Sequence, residues 1–165
     1  MTTGTTDTLL VREARRGDLA AILALVAADA IREVPEDVGS GPDDVAPEYV
    51  AAYERITADP NALLLVGEMG GEIVATCQVN FLRHLMYNGG LVAQIESVRT
   101  TNHLRGQGIG TALMDWVVAE SRRRGAVRLQ LTSNAKRVDA HRFYERLGFA
   151  RTHVGMKLYL DGARR

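Results

Sequence analysis

The stretch RGQGIGTALMDW, Arg105–Trp116, decides how the rest of the chain is interpreted. It places glycine at every second position across residues 106–110 and then continues directly into an apolar pattern with helical spacing. A loop that opens a helix presents unpaired backbone N–H groups at the positive end of the helix dipole, and glycine lets a ligand approach them closely. The stretch therefore predicts an anion-binding loop. The alternative is a turn whose glycines only permit tight helix packing.

Two familiar nucleotide-binding motifs do not fit this loop. A Walker loop needs Gly-Lys-Ser/Thr after four intervening residues, and the loop contains no lysine. A dinucleotide fingerprint reads G-x-G-x-x-G early in a βαβ unit, whereas this loop lies about two thirds of the way along the chain and the count breaks after Gly110. We therefore expect an anion of another class.

Length and composition narrow the classes of protein. The chain has 165 residues, of which 46% are hydrophobic and 24% charged, which is typical of a single soluble domain over residues 1–165. No apolar run approaches the roughly 20 residues that span a bilayer, and the first residues do not resemble a secretory signal, so we expect a cytoplasmic protein. The formal net charge of zero gives no reason to expect a nucleic-acid partner. Cys77, the single cysteine, is predicted to be a buried strand residue.

The hydrophobic pattern predicts the element order β-α-α-β-β-β-α-β-α-β. The predicted strands cover residues 8–14, 62–68, 72–82, 91–100 and 126–132, followed by closing strand pieces at 150–154 and 156–160. Four helices are predicted. The first begins after Asp18 as its N-cap, the second runs from Pro47 to Asp59, the third covers residues 109–124, and the fourth ends before Gly148. The strand-helix-strand unit across residues 92–132 requires parallel pairing, so the expected fold is an α/β protein with helices on both faces of a mixed sheet.

Three segments together resemble the GCN5-related N-acetyltransferase (GNAT) superfamily. The loop fits Arg/Gln-x-x-Gly-x-Gly/Ala, and the segments REARRGDLAAILAL and AHRFYERLGF extend the resemblance over nearly the whole chain. The resemblance implies a GNAT-like mixed central sheet of about seven strands and implies acetyl-CoA as the cofactor, its pyrophosphate bound by the loop amides. It assigns cofactor binding, including the start of the pantetheine arm, to Val98, Arg99, Arg105, Gly106, Gln107, Gly108, Ile109, Gly110 and Thr111.

The resemblance also supplies candidates near the end of the chain. The family places a tyrosine at the position of Tyr144, whose hydroxyl protonates the departing CoA thiolate as a general acid. Many members carry an asparagine seven residues before this tyrosine as a CoA ligand. Here that position is Arg137, and Asn134 lies three residues earlier, so both are candidate ligands.

A carboxylate interrupts the apolar strand before the loop. In QIESVRT, alternation places Gln94, Glu96 and Val98 on one face of the strand. A carboxylate within a sheet is costly unless it is paired or faces a wet cleft. Glu96 is therefore either a catalytic residue, as base or amine anchor, or an ion-pair partner of a nearby arginine such as Arg83 or Arg99. In the family a glutamate in this context often acts through water or positions the amine.

These features predict an N-acetyltransferase that moves the acetyl group of acetyl-CoA directly to a primary amine of a small molecule in a ternary complex. The alternatives are a CoA-sensing module without transfer activity and acetylation of a protein amine. The segment SNAKRVDAHRFY resembles the aminoalkylphosphonate acetyltransferase branch, whereas IES is similar to glucosamine-phosphate acetyltransferases, so the acceptor stays open. The histidine spacings do not predict a metal site, and homodimers are common among family members.

Overall fold

The computed structural model describes residues 8–28 and 45–160, and the chain divides into two compact units, Met1–Leu131 and Thr132–Arg165. The first unit contains β1 (Leu10–Glu13), α1 (Leu19–Ala27), α2 (Pro47–Ala58), β2 (Ala62–Met69), β3 (Glu72–Arg83), α3 (Met86–Gly89), β4 (Leu91–Thr100), α4 (Ile109–Arg123) and β5 (Ala126–Leu131). Short 3₁₀ turns lie at Arg16–Asp18 and Asn102–Leu104. The second unit contains α5 (Val138–Arg146).

The five strands form one mixed sheet in the order β1-β2-β3-β4-β5. The first four strands pair antiparallel with their neighbours, and β4 pairs parallel with β5. The tight turn between β2 and β3 uses Gly70 and Gly71, both at positive φ, a conformation that glycine adopts without a Cβ penalty. A parallel pair needs a long crossover, which α4 supplies between β4 and β5. The predicted parallel unit is confirmed, and β2, β3 and β4 form an antiparallel meander.

The predicted count of about seven strands is wrong, because the described residues form five. Residues 151–159, predicted to contain parts of two closing strands, carry no regular secondary structure. The apolar side chains that alternate there, Val154, Met156, Leu158 and Leu160, are 85 to 92% exposed. Alternation indicates which side chains would share a face of a strand, but the strand itself exists only where backbone hydrogen bonds join it to a neighbour.

The helices begin and end close to their predicted positions. Pro47 occupies the first turn of α2, where its missing N–H costs nothing, and α4 is followed by Gly125 at φ 78°. Asp18 is the N-cap residue of α1, as predicted, but its side chain forms no capping hydrogen bond to that helix. Its carboxylate instead accepts hydrogen bonds from the Arg12 guanidinium at 2.7 Å and the Arg15 backbone N–H at 2.6 Å. The Asp18 carboxylate thus caps the preceding 3₁₀ turn and binds Arg12.

Both faces of the central strands are covered. Consecutive strand residues point to opposite faces, yet Leu65 and Val66 in β2 are both fully buried, as are Val92 and Ala93 in β4. Cys77 lies in β3 and is fully buried, which confirms its predicted place. None of the helices in the described ranges is long and apolar enough to cross a membrane.

Candidate functional site

The glycine loop, residues 105–108, lies between the 3₁₀ turn that follows β4 and the first turn of α4. Gly106 and Gly108 adopt φ values of 81° and 82°, in the left-handed region that other residues enter at a cost. Nothing lies within 4 Å of a Cβ built on either glycine, and residues 105–108 are exposed. Backbone conformation therefore explains these glycines, and tight packing against a neighbouring element does not.

The loop delivers a row of backbone donors to the surface. Gly108 is the N-cap residue of α4, and its carbonyl accepts the first helical hydrogen bond, from Ala112 N–H at 2.9 Å. The helix geometry leaves the amides of Ile109, Gly110 and Thr111 without an intrahelical acceptor, at the positive end of the helix dipole. The sequence contains no acidic residue between Glu96 and Asp115. The donors and the local charge thus both suit an anion.

A β-bulge interrupts β4 directly before this loop. Gln78 of β3 pairs with Glu96 and Thr76 pairs with Arg99, so two residues of β4, Ser97 and Val98, oppose the single residue Cys77. Ser97 has φ 53°, which is unusual for a residue other than glycine. Bulges and backbone outliers of this kind concentrate at functional sites.

The bulge corrects one expectation from alternation. Val98 does not share the face of Gln94 and Glu96, because the extra residue resets the alternation and returns Arg99 to that face. Arg99 donates from its guanidinium to the Val98 carbonyl at 2.8 Å. The two predicted cofactor residues of β4 are thus neighbours on opposite faces of the strand, joined by this hydrogen bond.

Beyond Ile95, β4 and β5 separate. Their parallel pairing runs from Leu91 with Ala126 to Ile95 with Leu131, and β4 continues to Thr100 without β5 as a partner. The backbone of residues 96–100 therefore presents its β5 side to other partners. This open edge, the bulge and the glycine loop follow one another along the chain within residues 96–111.

Glu96 is exposed and has an ordered environment. Its Oε1 accepts a hydrogen bond from Gln94 Nε2 at 2.8 Å. Among the described residues Glu96 forms no ion pair with Arg83 or Arg99, the partners of the structural alternative. The carboxylate is therefore accessible, which is the arrangement that a base or amine anchor requires.

The second unit carries the remaining predicted residues. Asn134 Oδ1 accepts from Lys136 N–H at 2.9 Å, and the Asn134 carbonyl accepts from Arg137 N–H at 2.9 Å and lies 3.0 Å from His141 Nε2. Asn134 thus builds the turn that leads into α5, and Arg137 is its N-cap residue. Tyr144 lies on α5 with its ring 5.1 Å from that of Phe143.

A cavity elsewhere in the first unit does not belong to this site. It has a volume of about 530 Å³ and lies beside β1 and the turn between β2 and β3. Its most buried cation, Arg12, is already paired with Asp18 at 2.7 Å and Glu68 at 2.8 Å. These two ion pairs raise the pKa of Arg12, with the hydrogen bond to Asp18 as the largest cause. Arg12 is therefore already neutralised by two carboxylates.

Sequence reasoning missed the bulge and the polar side chains around Glu96. Ser97 gave no signal because glycine or asparagine is the usual mark of positive φ. Arg128 and Gln130 on β5 did carry a signal, since they alternate with apolar residues in AVRLQLT and so share a face. Their neighbours on β4 become apparent only from the strand register.

Known proteins resemble this chain in both sequence and structure. An aminoalkylphosphonate N-acetyltransferase of Salmonella typhimurium is 35% identical over 95 residues, which span 58% of this chain and 61% of that protein, less than two thirds of its length. A crystal structure from Bacillus halodurans, described as a transcriptional regulator, has 39% identity and a TM-score of 0.84, covering 93% of this chain and all of that one. A predicted acetyltransferase from Clostridium acetobutylicum, crystallised with acetyl-CoA, has 20% identity and a TM-score of 0.72, covering 96% and 100%.

The glycine loop, β4, β5 and α4 all fall within the region that matches one protein family. Residues 28–149, about three quarters of the chain, match the family described as acetyltransferase (GNAT). The resemblance inferred from the sequence is thereby confirmed, and the chain belongs to the acetyltransferase (GNAT) family.

Proposed function

We propose that this protein is an N-acetyltransferase that moves the acetyl group of acetyl-CoA directly to a primary amine of a small molecule. The observation that carries the proposal is the exposed glycine loop, in which two residues at positive φ lead to the free first-turn amides of α4. Family membership supports the reaction class, and the Salmonella relative supports a small amine acceptor.

The residues of the loop fit the diphosphate of coenzyme A. The amides of Gly108, Ile109, Gly110 and Thr111 are the proposed donors, with Gly106 shaping the approach and Arg105 adding positive charge. Gln107 is also proposed as a donor, and its N–H would exchange its hydrogen bond to the Leu104 carbonyl, 3.3 Å long, for one to the diphosphate. The Val98 backbone and Arg99, on the open edge of β4, are assigned to the thioester end and the pantetheine arm. Asn134 and Arg137, beside α5, are both retained as candidate CoA ligands.

Acetyl-CoA supplies an acyl group activated as a thioester. In the proposed reaction the unprotonated acceptor nitrogen forms a bond to the carbonyl carbon, and the C–S bond breaks. The amine loses a proton and the departing sulfur gains one, so the reaction needs a base and an acid. We assign Glu96 to the amine, as base or anchor, and the Tyr144 hydroxyl to the sulfur.

Calorimetry tests the cofactor proposal directly. Titration of the folded protein with CoA is expected to show saturable binding, and an Arg105→Gln variant is expected to bind more weakly. Arg122→Gln is the matched control, because Arg122 is an exposed arginine at the far end of α4. Absence of any CoA binding to well-folded protein would overturn the proposal.

An amine panel tests transfer and identifies the acceptor. Release of the CoA thiol from acetyl-CoA is measured with aminoalkylphosphonates, amino sugar phosphates, simple alkylamines and a lysine peptide. Acetyl transfer to at least one small amine is expected. Glu96→Gln and Tyr144→Phe are expected to lower kcat about a hundredfold while changing CoA affinity little, since each removes a proton-transfer or anchoring group. Unchanged turnover in either variant would remove that residue's role.

A second candidate function is a CoA-binding module that performs no transfer. The observation in its favour is the Bacillus halodurans structure, which is 39% identical over nearly this whole chain and is described as a transcriptional regulator. The two functions predict the same calorimetry and different chemistry. Saturable CoA binding with no thiol release across the full amine panel is the result that selects the binding module.

A further inference from the structure

One face of β3, β4 and β5 carries a cluster of polar side chains where an α/β sheet normally carries apolar ones. Strand pairing aligns Gln78 with Glu96, Asn80 with Gln94, and Gln94 with Gln130. Directly paired residues share a face, so all five lie on one surface together with Arg128, two residues from Gln130. On the opposite face, the neighbours Val79, Phe81, Ala93 and Ile95 are buried.

Four of these side chains form a continuous chain of hydrogen bonds, defined here as the Arg128–Glu96 relay. Arg128 Nη2 donates to Gln130 Oε1 at 2.8 Å, and Gln130 Nε2 donates to Gln94 Oε1 at 2.7 Å. Gln94 Nε2 then donates to Glu96 Oε1 at 2.8 Å. At the other end Arg128 Nη1 donates to the Tyr87 hydroxyl at 2.7 Å, and its guanidinium lies 4.6 Å from the centre of the Tyr87 ring.

The two ends of the relay fix its direction. A guanidinium can only donate hydrogen bonds and an ionised carboxylate can only accept them. Each glutamine between them must therefore present its oxygen toward Arg128 and its nitrogen toward Glu96. All the bonds point the same way, which strengthens each of them, and one oxygen of Glu96 is engaged while Oε2 has no partner among the described residues.

We propose that Gln94 and Gln130 are positioning residues for Glu96, and that Arg128 sets the direction of their hydrogen bonds. The inference rests on the proposed function, because it assumes that Glu96 contacts the acceptor amine. The relay holds the carboxylate in one rotamer with Oε1 occupied, so Oε2 is the oxygen that meets the amine. A flexible surface glutamate would otherwise lose side-chain entropy each time an acceptor bound.

A same-size substitution reverses the relay without removing bulk. In Gln130→Glu, the new carboxylate accepts from Arg128 and can only accept from Gln94. Gln94 must then turn its nitrogen toward the new carboxylate and its oxygen toward Glu96. Glu96 thereby loses the hydrogen bond that Gln94 donates to it. We expect about a tenfold lower kcat, the loss of one hydrogen bond to a charged group, with unchanged CoA affinity. Because the substitution also creates an ion pair between Arg128 and the new carboxylate, we expect Tm to stay the same or rise.

Combination with Glu96→Gln separates positioning from structural damage. A glutamine at position 96 can turn its own amide to match the reversed relay, so Gln130→Glu is expected to cause no further loss of kcat in that background. Structural damage would instead multiply the two losses. Gln94→Met tests the last bond of the relay directly. Gln78→Met is its matched control, since Gln78 lies opposite Glu96 but its amide donates to Asn80 at 3.1 Å.

The outcomes distinguish the inference from the function on which it rests. Full turnover by Gln130→Glu and Gln94→Met, with a large loss in Glu96→Gln, overturns the relay and leaves the proposed function intact. Equal losses in Gln94→Met and Gln78→Met, or multiplying losses in the double variant, also overturn the relay. Full turnover by Glu96→Gln refutes the role of Glu96, and the relay with it.

Discussion

At the scale of single residues, unusual backbone conformations mark the candidate site. Gly106, Gly108 and Ser97 all adopt positive φ within the continuous stretch 96–111. Such conformations persist only where the surrounding structure enforces them, and they are enriched at sites that bind ligands. Two substitution series follow from these φ values.

Gly108→Ala is expected to destabilise the protein by about 1 kcal/mol, the cost of the left-handed region for alanine less the entropy that the unfolded chain loses. The added methyl group meets no protein atom within 4 Å, so the cost is conformational. We also expect weaker CoA binding, because the methyl group enters the space above the loop. Urea unfolding and calorimetry measure the two effects. Gly17→Ala, equally open but without positive φ, is expected to leave CoA binding unchanged and to raise the unfolding free energy by up to about 1 kcal/mol, because only the entropy of the unfolded chain changes.

Two substitutions of Ser97 are expected to have different effects on the unfolding free energy. Ser97→Val places a β-branched side chain at φ 53° and is expected to cost about 2 kcal/mol of unfolding free energy. Ser97→Gly relieves the same conformation and is expected to be neutral or slightly stabilising. Urea unfolding measures both variants. A valine variant as stable as the glycine variant would show that residue 97 does not hold a left-handed conformation.

At the scale of elements, the last turn of α4 is held by a carboxylate between two cations. Glu120 lies 2.7 Å from both Arg123 Nη2 and Arg124 Nε, and Arg124 also donates to the Pro60 carbonyl at 2.8 Å. These contacts, led by the hydrogen bond from Arg123, lower the pKa of Glu120 to about 2. The arginine-rich run thus joins the end of α4 to the start of β2.

The shift in Glu120 predicts a pH-dependent contribution to stability. Because its pKa falls on folding from the ordinary 4.5 to about 2, the stabilisation is present above about pH 4.5 and is lost as the pH falls toward 2. Glu120→Gln is expected to cost about 1 kcal/mol at pH 7, and less at pH 3. Urea unfolding at the two pH values provides the measurement. Glu54→Gln, in an exposed pair with Arg16, is the control, and a cost independent of pH would contradict the expectation.

The elements also show how far sequence reasoning reaches. Helix bounds followed from local signals such as Pro47, Gly125 and Gly148, because capping and backbone conformation depend on a few neighbouring residues. The glycine loop was predicted for the same reason. The bulge at Ser97 was not, because it depends on how β3 and β4 pair, and the closing segment 151–159 was assigned strands that need partners outside the segment.

The same distinction applies to the candidate site. The sequence alone marks Glu96 as a candidate site residue, because it places a carboxylate in an apolar strand, where burial of a charge is costly. Its hydrogen bond to Gln94, and the continuation to Gln130 and Arg128, depend on the register between β4 and β5. Register is a property of two paired segments, so a local pattern in either strand cannot supply it.

At the scale of the whole molecule, Cys77 reports on the integrity of the sheet. Its side chain is fully buried in β3, and burial raises the pKa of the thiol to about 12, so little thiolate forms at neutral pH. We expect negligible labelling by a thiol reagent in the native state and one labelled thiol per chain in concentrated urea. Labelling is therefore expected to follow unfolding as measured by circular dichroism. Rapid labelling of the native protein would contradict the buried position.

The bulge in β4 also determines where the chain tolerates changes of length. Two residues, Ser97 and Val98, stand opposite Cys77, so deletion of either one would leave Arg99 opposite Thr76 but would remove the bulge, and with it the local bend and added twist of β4. The segment entering the glycine loop would then leave the sheet in a different direction. The turn at Gly70–Gly71 is an exposed connection between the ends of β2 and β3 and carries no such constraint. Insertions and deletions among natural homologues should therefore accumulate at residues 70–71 and be rare between residues 96 and 99.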